Sequence, residues 1–526
     1  MFRDARPACV VQPSNISQVQ ALIREAKAHN RPVTIKNGGH SFGGFSTTNG
    51  GILLDLSRMN KVTLDMTPGS ETVTLQGGAR WGHAYKALVD GGHNGWFING
   101  GRCPIVGVSG FVLGGDLSPF TRSFGMGCDT LQEATIVTAD GKIVKVTDKD
   151  YKTSDEGKLF WALCGAGGGN FGVVVEMKIK VQKLAGKTVV AGLFVWVPKP
   201  GDIDSFMATM VDFYTAEWPN QTTIDSSWLC DLNDPPTTEL KVRFPIHHNA
   251  KPLKRRTLEE LSTRFLLETL VSQWSFENQS TLSSATGKYR IYTSVVLTND
   301  KPIIAGVTAL IRKQMKDFRD VFAGEEGLLQ VTWIHTGGEA SRDKTTSTTA
   351  YPWRSSTYHT YVMLEWKEKW LTRDMKDFLK TMSNDLRKFS VNGHAAFVNF
   401  PDSQLKAHEE AYFGSNQQEL REVKKRWDPD HFFEWHQGVK LPQQTQTMAT
   451  RGASRGVLNT EETFKSVVDE DVEEGDEPYD DGQGASSSNL YVPTLSNQAK
   501  TNLKNTDKKR TRRLQVCDPI VARGNY

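Results

Sequence analysis

The sequence predicts an α+β fold in two lobes, and two changes of texture along the chain carry that prediction. Glycine clusters between residues 37 and 172 among short runs of β-branched residues, a pattern of brief strands joined by tight backbone turns. Beyond residue 179 glycine thins and strand patterns alternate with longer amphipathic stretches, which describes an antiparallel sheet backed by helices. Length alone, 526 residues, would suggest about three domains.

In the first lobe, residues 17–29 read as a helix. Val19, Leu22, Ile23 and Ala26 share one face, and Ser17 with Gln20 has the spacing of a capping box. Residues 32–35, 52–56 and 72–75 are β-type runs. Residues 135–138 and 143–146 flank Asp140 and Gly141, a pair that favours a type I′ hairpin turn. In the second lobe, residues 193–197, 240–244, 289–297 and 358–366 read as strands. Met375, Phe378, Leu379, Met382 and Leu386 form one helix face. Near the end, an acidic block over 461–481 precedes a basic one over 508–513 with little apolar content, which indicates disorder. The expected organisation is residues 1–183, residues 184–395, a segment over 396–442 that returns to the first lobe, and a charged tail over 443–526.

Composition removes several functions. The 63 Lys and Arg against 60 Asp and Glu give a net charge of +3, too balanced for a nucleic-acid binder. No run of 18 apolar residues exists to span a membrane. The first residues lack an apolar h-region, so a cytoplasmic or other intracellular location is expected as written, and secretion if the N-terminus is incomplete. Six scattered cysteines, with no CxxC pair or His-rich partner, argue against a metal site or a disulfide framework. Nothing in the sequence fixes an oligomeric state.

Three glycine clusters point to a ligand: residues 35–44, residues 100–115 and residues 164–172. Consecutive glycines after a strand turn backbone N–H groups toward one point, which suits a phosphate. No GxGxxG opens a βαβ unit and no GxxxxGK[ST] is present, so neither a Rossmann site nor a P-loop is supported.

The order of GGHS at 38–41, GRCPIVGVSG at 101–110, FWALCGAGGGNFGVV at 160–174 and YFGSNQQELREVKKRWDPDHFF at 412–433 resembles the berberine-bridge-enzyme-like FAD-linked oxidoreductases. These belong to the wider group with a PCMH, or vanillyl-alcohol-oxidase, type FAD-binding domain. The resemblance spans about residues 5–441 and is nearest in texture to fungal natural-product oxidases. It implies a two-subdomain FAD-binding domain beside a substrate domain. It also implies FAD bonded at its 8α-methyl carbon to His40 and at C6 to Cys103. Imidazole and thiolate are both nucleophiles suited to such bonds. By the same resemblance Lys36, Asn37, Gly38, Gly39 and Ser41, with Val106, Gly107, Gly110, Gly114 and Gly115, cradle the cofactor. Asn170, Gly172 and Val174 pack along it, and Asn399 faces it. Val106 stands where oxygen-reactive members carry valine, implying an oxidase that uses O2 and a small organic substrate. A dehydrogenase or oligosaccharide oxidase of the same fold, or a non-catalytic scaffold, is the alternative.

Two departures stand out. Asp116 follows Gly114 and Gly115 where the family often has a third glycine, and a carboxylate aimed at pyrophosphate would be repulsive, so Asp116 is expected to point away. Phe400 replaces a tyrosine that serves as the base in many members, and it cannot titrate. Candidates for a replacement base are Tyr358, Tyr361, Glu365 and His394. Tyr361 and Glu365 share strand parity and so one face. Trp196, Trp274, Trp333, Trp353 and Trp366 are candidates to line an aromatic cleft.

Overall fold

Three parallel strands open the fold. β1 (Cys9–Val11) and β2 (Val33–Lys36) flank β3 (Ile52–Asp55), with α1 (Ile16–Ala28) crossing between the first two. The computed structural model describes residues 5–184, 188–249, 259–261, 288–342 and 348–443. The tail expected over 443–526 lies outside them from residue 444 on, as does Trp274. Helix α1 follows its apolar period and buries Val19, Ile23 and Ala26. Its start differs from the expected one. Asn15 Oδ1 accepts from Gln18 N at 3.0 Å and Gln18 Oε1 accepts from Ser14 N at 2.8 Å, so capping sits two residues ahead of Ser17.

A second sheet runs β4 (Val62–Asp65), β5 (Thr72–Gln76), β9 (Val173–Lys183), β7 (Leu131–Val137), β8 (Ile143–Thr147), with β6 (Trp96–Ile98) also on β9. Helices α2 (Trp81–Asp90), α3 (Val108–Leu113), α4 (Thr121–Phe124) and α5 (Asp155–Leu163) occupy its connections. The expected β7–β8 hairpin forms, without a type I′ turn. Thr138 N donates to Lys142 O at 3.0 Å and, within the loop, Gly141 alone takes a positive φ, +72°. A three-residue loop closed by a glycine bulge satisfies the strand twist equally well.

The large sheet is antiparallel throughout. Its order is β14 (Glu259–Leu261), β10 (Thr188–Trp196), β13 (Lys241–His248), β12 (Ser226–Asp231), β16 (Gly327–His335), β17 (Tyr358–Trp366), β15 (Tyr289–Leu297), with β11 (Thr222–Ile224) on β13. Register sorts its residues between two faces. Val295, Leu297, Trp333, Tyr358, Val362 and Trp366 join one core with α6 (Ile203–Thr215), α7 (Lys301–Val321) and α8 (Thr372–Arg387). The opposite face pairs Arg290 with Glu365, Tyr292 with Met363 and Ser294 with Tyr361. That face turns toward the glycine loops, where Phe42 packs on it.

After residue 395 the chain packs back on the first lobe. Phe397, Tyr412, Leu420 and Val439, with helices α9 (His408–Phe413) and α10 (Gln417–Trp427), share a core with Trp81, Leu113 and Val174. Lys424 of α10 fastens this return. Its buried Nζ donates to Asn170 O and Asp428 Oδ2, both at 2.6 Å, and to Phe433 O at 2.8 Å. No helix among the described residues is long and apolar enough to cross a membrane.

Candidate active site

The first glycine loop leaves β2 at Lys36, whose Nζ is taken up by Asp55 at 3.2 Å. Asn37 ties three loops together, donating from Nδ2 to Gly77 O at 2.5 Å and to Ser109 Oγ at 2.7 Å. Gly38 and Gly107 let two loops meet backbone to backbone. A Cβ on Gly38 would lie 2.4 Å from Gly107 N, and one on Gly107 would lie 2.4 Å from Asn37 Cγ. Gly39 takes a φ of +73°, and Ser41 Oγ accepts from Phe45 N at 3.2 Å to close the turn.

That junction brings the two nucleophiles into one neighbourhood. His40 is two residues past Gly38. Cys103 is two residues before Ile105, whose carbonyl oxygen would be 3.0 Å from a Gly38 Cβ. Two residues span at most about 7 Å, so both side chains spring from the same contact. The His40 ring is exposed yet crowded by the loops. Desolvation, then the Arg80 guanidinium, lowers its pKa and keeps it the neutral, nucleophilic imidazole. Cys103 is half-buried. Burial pushes its thiol up, and hydrogen bonds from the Ile105 and Val106 amides pull it partly back.

The second loop runs past Val106 into α3. Val106 O accepts from Trp81 N at 3.1 Å. Gly110 faces open space, since a Cβ there would meet nothing within 4 Å, and a Cβ on Gly168 would lie 3.7 Å from Gly110 Cα. A Cβ on Gly114 would lie 2.1 Å from Asn399 Oδ1, and Asn399 Nδ2 donates to Phe111 O at 2.8 Å. The amide expected to face the cofactor is thus engaged with the carboxyl end of α3. Gly115, at φ +118°, packs beside Met126.

The third loop shapes the site from behind. Asn170 is buried with its amide fully used. It donates to Ala166 O at 2.9 Å and accepts from Trp435 Nε1 and Val439 N, both at 3.0 Å. A Cβ on Gly172 would lie 2.5 Å from Val137 O, so glycine there serves packing, and Val174 is buried in β9. Asp116 is turned into the interior against Gly127, at φ +64° and without exposure. Neither of its carboxylate oxygens has a hydrogen-bond partner among the described residues. Burial pushes its pKa far up against the opposing pull of Arg102, which favours the neutral acid.

On the substrate side, four aromatic rings meet. Phe42 stacks between Tyr292, at 4.0 Å and 13°, and Phe400, at 5.5 Å and 15°. Tyr361 tilts against Phe400 at 4.9 Å and Phe42 at 5.9 Å. Tyr361 is therefore the one candidate base standing in this group. Tyr358 lies on the helix-covered face and donates to Tyr214 O at 2.9 Å. Glu365 shares the face of Tyr361 but is buried and held by Lys288 at 2.7 Å and Arg290 at 2.6 Å, which ties up its carboxylate. His394 lies apart from these rings. It lines a cavity of about 500 Å³ with Lys406, Arg421 and Lys440, and sits 3.6 Å from Glu410. Tyr292 was not singled out in the sequence. A hydrogen bond from Arg290 reaches its phenol, while burial pushes that phenol up to about 12. Among the described residues the candidate tryptophans do not build this wall: Trp333 and Trp366 belong to the helix-side core, Trp196 packs on Phe206, and Trp353 is buried in the other core.

The residues present fit a flavin dinucleotide. The amides from Gly38 to Ser41 find no acceptor among the described residues, the free space at Gly110 opens beside them, and two nucleophiles share their junction. Such a site, on this pairing of a glycine-loop lobe with an antiparallel sheet, defines a flavin-dependent oxidoreductase. Comparison with known proteins agrees. Residues 7–147 match the FAD binding domain family and residues 396–440 match the berberine and berberine-like family. An FAD-linked oxidoreductase of Metarhizium anisopliae is 27% identical over 463 residues, covering 82% of this chain and 84% of that protein. The glucooligosaccharide oxidase of Sarocladium strictum is 37% identical over 177 residues, 33% of each chain. The structure of berberine bridge enzyme from Eschscholzia californica superposes with a TM-score of 0.66 at 20% identity, covering 82% of this chain and 90% of that one. The chain carries an FAD binding domain and a berberine-like segment; it is an FAD-linked oxidoreductase, and FAD is its cofactor.

Proposed function

We propose that the enzyme is an oxygen-using oxidase of a small, natural-product-like organic substrate, with FAD bonded to both His40 and Cys103. The carrying observation is the contact of Gly38 with Gly107, which sets the neutral imidazole and the half-buried thiol on two touching loops. Bound FAD supplies a two-electron acceptor. The loop amides hold its phosphates, and the Phe42, Tyr292 and Phe400 rings orient a substrate against it. Tyr361, which stands against Phe42 and Phe400 in that group, takes the substrate's proton, while Glu365 is locked in ion pairs. The oxidase assignment is supported by Val106 and by similarity to the glucooligosaccharide oxidase of Sarocladium strictum. Its test is reoxidation of the photoreduced holoenzyme in air-saturated buffer. Rapid recovery of oxidised flavin with stoichiometric hydrogen peroxide is expected, whereas slow recovery that an added quinone accelerates would make the enzyme a dehydrogenase.

A further inference from the structure

Arg102, the residue before Cys103, joins the cysteine loop to the large sheet. Its Nη1 donates to Leu117 O at 2.8 Å, and its Nη2 lies 2.5 Å from Asp225 Oδ2. The second contact is a charge contact and not an aligned hydrogen bond, since Nη2 has no acceptor in good geometry. Asp225 links β11 to β12, is 5% exposed, and is itself fixed by accepting from His335 N at 2.9 Å. On the other side of Arg102, Gly101 is clamped: Tyr85 donates to its carbonyl at 2.7 Å, and a Cβ there would lie 2.8 Å from both Phe111 and Trp81. The backbone entering Cys103 is therefore held from the first lobe by aromatics and from the large sheet by one ion pair.

A plain fastening role accounts poorly for that pair. Arg122 already fastens the same two surfaces, donating to Thr222 O at 2.9 Å and to Thr336 O and Trp218 O at 2.6 Å. Arg102 instead meets a buried charge and leaves its Nε without a partner among the described residues. Buried ion pairs of that kind add little net stability, so their value lies in geometry and field.

We propose that Arg102, anchored on Asp225, is a positioning residue for Cys103, so that the sulfur becomes reactive toward flavin C6 only when the large sheet is docked on the glycine loops. This rests on the reading of Cys103 as a tether. The bond forms between sulfur and C6, the C6 proton leaves to solvent, and the electron pair left on the flavin passes to O2. The proton of the thiol is lost beforehand, to solvent.

The test uses the full chain in a His40→Ala background, where Cys103 is the sole attachment. Asp225→Asn and Arg102→Leu are expected to lower the flavin found on the Cys103 peptide by mass spectrometry at least fivefold. Asp225→Glu should restore most of it. Unchanged occupancy in both variants would overturn the proposal. A second arm follows iodoacetamide labelling of the same peptide in flavin-free protein, where Arg102→Leu, which frees the loop from Asp225, should change the labelling rate several-fold and Arg102→Lys, which can keep the ion pair, should not. Equal labelling profiles for Arg102→Leu and the parent would overturn the proposal. Because that arm needs no flavin, it decides the role of Arg102 even if the Cys103 peptide of the parent carries none, a result that would sink the tether reading alone.

Discussion

Phe42 stacks on Tyr292 with ring centroids 4.0 Å apart and planes 13° from parallel. The contact joins the loop of His40 to the large sheet two residues past the proposed tether. Stacked aromatic pairs couple by about 0.5–1.5 kcal/mol beyond the area they bury. A double-mutant cycle with Phe42→Leu and Tyr292→Leu, read by urea unfolding, should therefore return about 1 kcal/mol of coupling. Additive single effects would mean that the rings are neighbours without energetic contact.

Lys424 supports the site from its far side. Its side chain and that of Asp428 are both 0% exposed, and three oxygens accept from its Nζ. Replacing it by methionine leaves Asp428 buried and uncompensated, a change that costs about 3–5 kcal/mol. Lys424→Met should lower the urea midpoint accordingly, and adding Asp428→Leu should recover part of the loss. A wild-type midpoint for the single variant would contradict the structure.

Two buried histidines predict how stability follows pH. Burial, then Arg354 for His359 and Arg102 for His247, lowers each pKa to about 3 from the usual 6.5. Both are favoured neutral in the fold. Their contribution is present above about 6.5 and is lost as pH falls toward 3. Between pH 7 and pH 5 each such group costs about 2 kcal/mol. His359→Gln should flatten the urea midpoint over that interval, and a slope equal to that of the parent would show that His359 is not buried neutral.

Asp116 combines a left-handed backbone, φ +64°, with a carboxyl that lacks partners. Asparagine tolerates that backbone and carries no ionisable group. Asp116→Asn should leave the melting temperature unchanged or raise it by a few degrees, equivalent to about 0–1 kcal/mol. A marked loss would show that the acid itself holds Arg102 in place.

The parts of this architecture that depend on local chemistry were legible in the sequence. The 289–297 and 358–366 strands coincide with β15 and β17, and Gly38, Gly107 and Gly114, read in the sequence as a ligand cradle, lie where a Cβ would strike a neighbour. Phe400 stands where the resemblance implies a tyrosine, and its residue type cannot titrate. What stayed hidden depends on register between distant segments. Glu365 looked available as a base because Lys288 and Arg290 meet it only across the β15–β17 ladder. Tyr292 gains its place from Phe42, 250 positions earlier by the residue numbers. Lys424 reads as solvent-facing on a helix rich in charge, and only the return of the chain over Asn170 buries it. His394, a candidate base in the sequence, belongs to a different surface.

The most direct measurement is the flavin that survives acid precipitation of the purified protein, compared for the parent, His40→Ala, Cys103→Ala and the double variant, with the attachment sites located by peptide mass. The account predicts covalent flavin on both the His40 and the Cys103 peptides of the parent, on one peptide in each single variant, and on none in the double. Flavin released completely from the parent, or still bonded in the double variant, would contradict it.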